Sequence, residues 1–146
     1  MEGGIDLIIR NFLGMQIQKN VRKLIEQQYY GEQPIGTSII VDTENEDHPF
    51  LAHTPTMRVP SDISNTDNVY NAAFAMFRAV ANHNKNNKIR INKVLCPGLG
   101  TATGRMKPKE AARQMSLAYK NFLEPTTHLI WSNLMAYNRE IMTFEK

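Results

Sequence analysis

Apolar residues along this chain change their period in a set order, and that order restricts the available folds more than any single motif does. Ile5, Ile8, Ile9, Phe12, Leu13, Ile17, Val21, Leu24 and Ile25 recur at helical spacing, so Asp6 to Tyr30 reads as helix, with Gly14 as the point of interruption. Gly31 to Gly36 ends it. Thr37 to Thr43 is rich in β-branched residues and reads as a strand; Glu44 to His48 is a polar turn, and Phe50 to Thr54 is a second strand near the first. After an irregular stretch with Pro55 and Pro60, Thr66 or Asp67 caps a helix whose apolar face is Val69, Ala72, Ala73, Met76, Phe77 and Val80. Asn82 to Lys88 is its polar exit, and Ile91 to Cys96 reads as a third strand. Pro108 opens a helix running to Leu123, and Pro125 separates it from a last helix, Thr127 to Met142. The order predicts an α/β layered domain with helices covering the strands on both faces.

The 146 residues are 42% hydrophobic and 21% charged, enough for one core and too few for two ordinary domains. Seventeen Lys and Arg against fourteen Asp and Glu give +3, scattered apart from the cluster Lys85, Lys88, Arg90 and Lys93, so nucleic acid is not the expected partner. A single Cys96 forms no internal disulfide and fits a reducing compartment. Met1 to Arg10 lacks the pattern of a signal peptide, and no apolar run is long enough to span a bilayer. The expectation is a soluble cytoplasmic protein without a membrane partner.

Two glycine-bearing segments carry the chemistry. Gly3-Gly4-Ile5-Asp6 opens the first helix, and Pro97-Gly98-Leu99-Gly100-Thr101-Ala102-Thr103-Gly104 follows the third apolar run. A helix N-terminus presents unpaired amide donors and partial positive charge, and glycine admits an anion to the backbone. Two such places suggest a diphosphate held between them. Turn chemistry alone explains either loop taken singly. Asp6 by itself reads first as a complement to the helix dipole. His53 reads as a hydrogen-bonded structural histidine, since no second His or Cys is spaced to join it, and no metal site is predicted. Cys96, beside an anion site, invites a nucleophile reading but is better taken as a buried small hydrophobe. The methionines, Phe74, Phe77, Phe122 and Trp131 read as core, and Tyr29 and Tyr30 as packing or surface.

Taken together, Gly3 to Asp6 followed by a helix, Gln33-Pro34-Ile35-Gly36-Thr37-Ser38, Leu51-Ala52-His53-Thr54-Pro55, and Cys96 to Gly104 resemble successive blocks of a macro domain. The resemblance covers residues 1–124, leaving 125–146 as a C-terminal helical extension of one macro-like domain. It implies a three-layer α/β/α fold with a mixed central sheet. Members of that family bind ADP-ribose, and some hydrolyse its esters or protein conjugates. The resemblance therefore implies that Gly3, Gly4, Ile5 and Asp6 form a first phosphate loop and that Gly98, Leu99, Gly100, Thr101, Ala102, Thr103 and Gly104 form a second. ADP-ribose or an ADP-ribosylated protein is the implied partner, with no cofactor. In the hydrolysing branches an aspartate of the first loop assists water, which makes Asp6 the catalytic candidate.

The departures from the family pattern matter as much. Two strands that family members carry ahead of the first loop, with an adenine-recognising aspartate and a ribose-contacting asparagine, have no counterpart. The N-terminal strands are therefore expected to be missing from the sheet, and a start at an internal methionine is favoured over natural shortening. An open sheet edge would favour a homodimer. Arg10 stands where related hydrolases often have a histidine, and the second loop has Thr103 and Arg105 where many members place an aromatic residue. It also lacks an acidic residue that another branch uses. Binding of ADP-ribose or a related nucleotide diphosphate is the leading expectation. An ADP-ribosyl hydrolase or O-acetyl-ADP-ribose deacetylase using Asp6 is the alternative, and a macro-like scaffold without ligand is the third.

Overall fold

Gly14 divides the first predicted helix in two. In the computed structural model, which describes residues 4–144, α1 (Gly4–Leu13) and α2 (Met15–Tyr29) meet at Gly14, whose φ of 88° lies outside any helix. A residue with a β-carbon is strained at such a φ, so glycine lets the apolar period run on while the backbone turns. α2 stops where Tyr30 and Gly31 enter the left-handed region, and their N–H groups donate to the carbonyls of Glu26 and Ile25 at 3.1 and 3.3 Å. Ile17 and Val21 of α2 are buried against Ile39 and Val41, with Leu13, Leu24, Ile25 and Leu51 packed around them. α1 buries none of its residues, and Ile5, Ile8 and Phe12 are exposed.

β1 (Ile39–Asp42) and β2 (Phe50–His53) pair antiparallel, with Ile39 opposite His53 and Asp42 opposite Phe50. The period of two holds in β1: Ile39 and Val41 are buried while the residues between are not. The connecting turn is wound by short polar side chains. Asp42 Oδ1 accepts from the Glu44 amide at 2.8 Å, and Asn45 Oδ1 accepts from the amides of Asp47 and His48 at 3.1 and 2.9 Å.

α3 (Asn68–Asn86) and α4 (Pro108–Leu123) form the second half of the core. Tyr70 and Ala73 of α3 are buried against Leu117 and Ala118 of α4. Of the two predicted caps, the Thr66 hydroxyl accepts from the Asn68 amide at 3.4 Å, while the side chain of Asp67 makes no capping bond. Gln114 of α4, fully buried, replaces it: Oε1 accepts from the Tyr70 amide at 2.9 Å, and Nε2 donates to the Thr66 carbonyl at 2.9 Å and to Glu110 Oε1 at 2.8 Å. One helix thus satisfies an orphan first-turn donor of the other. α5 (Trp131–Ile141) docks through Ile141, which joins the Tyr70 cluster, and through the Tyr70 hydroxyl, which donates to the Tyr137 hydroxyl at 2.7 Å. Arg113 donates to the Glu140 and Ile141 carbonyls at the negative end of α5 while forking onto the buried Glu110 carboxylate.

The chain combines helices with a sheet, but among the described residues that sheet has two strands. The expected three layers around a mixed central sheet are not formed there. The predicted third strand, Ile91 to Cys96, has no ladder: only Ile91 is held, by the side-chain amide of Asn84, and Asn92 to Cys96 are exposed. A strand-forming sequence becomes a strand only beside a neighbour that accepts its backbone groups. Other expectations need correcting. Trp131 is 76% exposed rather than core, Met15, Met135 and Met142 are exposed, and Cys96 is exposed rather than buried. The last helix starts four residues later than predicted, at Trp131 rather than Thr127. No helix among the described residues is long and apolar enough to cross a membrane.

Candidate ligand site

Gly3, the first residue predicted to contact phosphate, lies outside the described residues. Gly4 opens α1 with a φ of 56°, and a β-carbon there would meet nothing within 4 Å. Gly4, Ile5 and Asp6 are all exposed. The first-turn amides of α1 have no carbonyl of their own helix to bond, so this end offers donors and partial positive charge to an anion. Asp6, in the same turn, offers a carboxylate. Arg10, one turn further on, is drawn toward α2: its Nη1 donates to Oε1 of the buried Gln18 at 3.2 Å, while its Nε is buried with no partner.

The second segment is a compact loop tied to residues 63–66. Gly100 has a φ of 70°, its carbonyl accepts from the Met106 amide at 3.0 Å, and the Gly104 carbonyl accepts from the Ile63 amide at 3.0 Å. Arg105 returns its amide to Ala102 at 3.0 Å, and the Thr101 hydroxyl donates to the Gly98 carbonyl at 2.9 Å. Leu99 packs on the Ile63–Val69–Met106–Ala111 cluster. These bonds use carbonyls from Gly98 to Gly104. Among the described residues none of the amide N–H groups from Gly98 to Gly104 donates within the protein. Ala102 and Thr103 are exposed, whereas Gly104 is buried. The loop therefore holds its shape chiefly through its acceptors.

The glycines divide by role. A β-carbon on Gly104 would lie 2.5 Å from the Gly100 carbonyl oxygen and 2.7 Å from Ile63 Cγ1, and one on Gly100 would lie 2.9 Å from Ile63 Cδ1. Packing requires both to be glycine. Gly98 is different, since its added carbon would meet only Thr101 side-chain atoms at 3.4 Å.

His53, at the end of β2, is paired with Gln33: its Nδ1 lies 2.7 Å from Gln33 Oε1, and Gln33 Nε2 donates to the His53 carbonyl at 3.1 Å. The second bond orients the amide, so Gln33 Oε1 accepts from Nδ1–H and leaves Nε2 as the unprotonated ring nitrogen. Burial pushes the His53 pKa down, and the nearby Asp6 charge partly opposes it. This agrees with the structural reading of His53 and also brings the imidazole into the field of the catalytic candidate. Nothing in the sequence pointed to the Gln33 partnership, because the two residues lie twenty apart.

The two glycine loops are attached to different parts of the core. α1 packs on α2, while the second loop packs on Ile63 and Val69, and among the described residues no hydrogen bond joins them. Beside the exit of the second loop lies a cavity of about 370 Å³ lined by Arg105 and Lys107 together with Asp62 and Glu110. Arg105 has a φ of 53° and was legible in the sequence only as a departure from the family pattern. Cys96 is exposed, and desolvation of its sulfur pushes the thiol pKa up, which works against a thiolate nucleophile. Among the described residues no three His, Cys, Asp or Glu side chains gather as a metal site would require. Compared with known proteins, residues 1–115 match a family model described as Macro domain. No significant match was found among curated proteins or among solved structures.

Proposed function

The chain belongs to the macro domain family, and from that premise we propose that it binds ADP-ribose, or a related nucleotide diphosphate, through the two glycine loops. The family suggests ADP-ribose or ADP-ribosylated partners in general. The specific reading rests chiefly on the second loop, whose amides from Gly98 to Gly104 make no internal hydrogen bonds while its carbonyls lock the fold. Backbone donors left free in a glycine turn are what a phosphate needs. Gly4, Ile5 and Asp6, with Gly3 before them, serve as the first loop, where helix-end donors face the diphosphate. On this reading residues 1–146 work as one macro-like unit, with the C-terminal extension docked through α5. Completion of a three-layer sheet remains part of the proposal.

The alternative is hydrolysis of an ADP-ribose conjugate or ester, with Asp6 as acceptor of a proton from water. It is favoured by one observation, the exposed carboxylate of Asp6 in the first turn of α1. Isothermal titration with ADP-ribose, ADP and AMP tests the binding reading: ADP-ribose is expected to bind most tightly. No saturable binding would reject the two-loop site and favour a scaffold without ligand. Asp6→Ala separates the readings, since an enzyme loses turnover while retaining much of its phosphate affinity. If affinity falls and no turnover existed to lose, Asp6 is a binding group.

A further inference from the structure

The cavity at the exit of the second loop has no part in the two-loop site. Its walls are the turn before α3, the start of α4, and Phe144 beyond the end of α5. Two buried anchors fix the first two walls. Ile63 is 2% exposed and its amide donates to the Gly104 carbonyl at 3.0 Å, while Met106 is 1% exposed and its amide donates to the Gly100 carbonyl at 3.0 Å. The residues on either side of each anchor line the cavity instead: Asp62 and Ser64 beside Ile63, Arg105 and Lys107 beside Met106. Arg105 is held in the left-handed region, at a φ of 53°, with its amide bonded to the Ala102 carbonyl. Packing beneath these residues, and not pairing among them, sets where the lining lies.

Their polar groups are unequally used. Glu110 takes the fork of Arg113 at 2.7 and 2.9 Å and the Gln114 amide at 2.8 Å, and Asp62 accepts from the Ser64 amide at 2.9 Å. The side chains of Arg105, Lys107 and Asn65 make no hydrogen bond or ion pair among the described residues. With Glu110 offset by Arg113, the two free cations face the single charge of Asp62, so the cavity keeps a positive balance, to which the start of α4 adds. Cations and a carboxamide reaching in from two segments suit the three terminal oxygens of a phosphate monoester better than the two of a carboxylate. A volume of about 370 Å³ exceeds what a bare phosphate fills, and Phe144 offers an apolar wall to whatever the phosphate carries.

We propose that this cavity binds a small phosphate monoester bearing a flat apolar group. Arg105, Lys107 and Asn65 hold the phosphate, and the flat group packs on the ring of Phe144. The site is separate from the two glycine loops and stands whether or not they bind ADP-ribose.

Phenyl phosphate titrated into the whole chain and followed by two-dimensional amide NMR tests this, with inorganic phosphate and phenol as comparison ligands. Phenyl phosphate is expected to saturate, to shift the amides of Ser64, Asn65 and Lys107, and to bind about fivefold to tenfold more tightly than inorganic phosphate. Phenol should not saturate. Lys107→Gln should weaken both phosphates by about tenfold, whereas Phe144→Ala should weaken phenyl phosphate and leave inorganic phosphate unchanged. Both variants should keep the parent's response to ADP-ribose. No saturation, equal affinity for the two phosphates, or binding that neither variant alters would overturn the proposal. So would displacement of phenyl phosphate by ADP-ribose, which would assign the phosphate to the glycine loops, or tighter binding of a phosphoserine peptide, which would assign the cavity to a protein partner.

Discussion

Gly104→Ala separates a glycine required by packing from a glycine required by a ligand. A β-carbon at Gly104 falls 2.5 Å from the Gly100 carbonyl oxygen, 3.1 Å from Gly100 Cα and 2.7 Å from Ile63 Cγ1. Backbone cannot rotate aside as a side chain can. The Gly100 carbonyl is also fixed by the Met106 amide, and the Gly104 carbonyl by the Ile63 amide, both at 3.0 Å. Relief therefore costs overpacking strain of about 1 to 3 kcal/mol plus about 1 kcal/mol for a weakened buried hydrogen bond, or about 2 to 4 kcal/mol in all. Gly98→Ala is the control. Its new carbon meets only the Thr101 side chain at 3.4 Å, in an exposed part of the loop, so stability should stay within about 0.5 kcal/mol of the parent. Urea unfolding followed by far-ultraviolet circular dichroism measures both; Trp131, 76% exposed, is a poor reporter of the core. The two should also part in ligand binding. Gly98→Ala places a methyl group where the proposed phosphate approaches, so affinity for ADP-ribose should drop although the fold does not. A Gly104→Ala protein as stable as the parent would refute the packing argument. A Gly98→Ala protein of normal stability and normal affinity would refute close phosphate approach at that residue.

Three further outcomes follow from particular side chains. Because burial lowers the His53 pKa, the unfolded chain binds the extra proton first, so stability should be full above the ordinary histidine value near 6.5 and fall as pH drops below it. Denaturant melts from pH 7.5 to 5 should show that slope, and His53→Gln should remove it. Asp6 opposes the lowering, so Asp6→Asn should move the His53 imidazole titration to still lower pH by NMR; an unmoved titration would mean that the carboxylate does not reach the ring. Arg113→Ala should destabilise by about 3 kcal/mol, because it takes the guanidinium fork away from the buried Glu110 carboxylate and uncaps α5, whereas the double substitution with Glu110→Gln should recover part of the loss in the same melts.

Most of the helical architecture was legible in the sequence, because helices are stabilised by nearby residues along the chain. The break at Gly14, the start of α3, the start of α4 at Pro108 and the adjacency of β1 and β2 all followed from period and turn residues, whereas α3 runs on to Asn86, into the predicted polar exit. The cap on α3 followed only in part. Thr66, one of the two predicted caps, accepts from the Asn68 amide, but Asp67 makes no such bond and the Tyr70 amide is taken by Gln114, from a helix more than forty residues away. Trp131 failed for a related reason: its spacing on α5 is helical, but spacing cannot say which face meets the core, and Ile141 and Tyr137 take that face instead.

The candidate site divides along the same line. The sequence by itself determined the two glycine loops, their order and their resemblance to a macro domain, since a tight turn and a helix start are properties of a few consecutive residues. Only the tertiary structure decided that Gly100 and Gly104 are held by Ile63 while Gly98 is free, that Gln33 fixes the His53 ring, and that Ile91 to Cys96 lacks a ladder. Each of those depends on which distant groups come within bonding distance. Local propensity prepares a residue for such a contact, but burial, pairing and charge are set by the neighbours that the whole fold supplies.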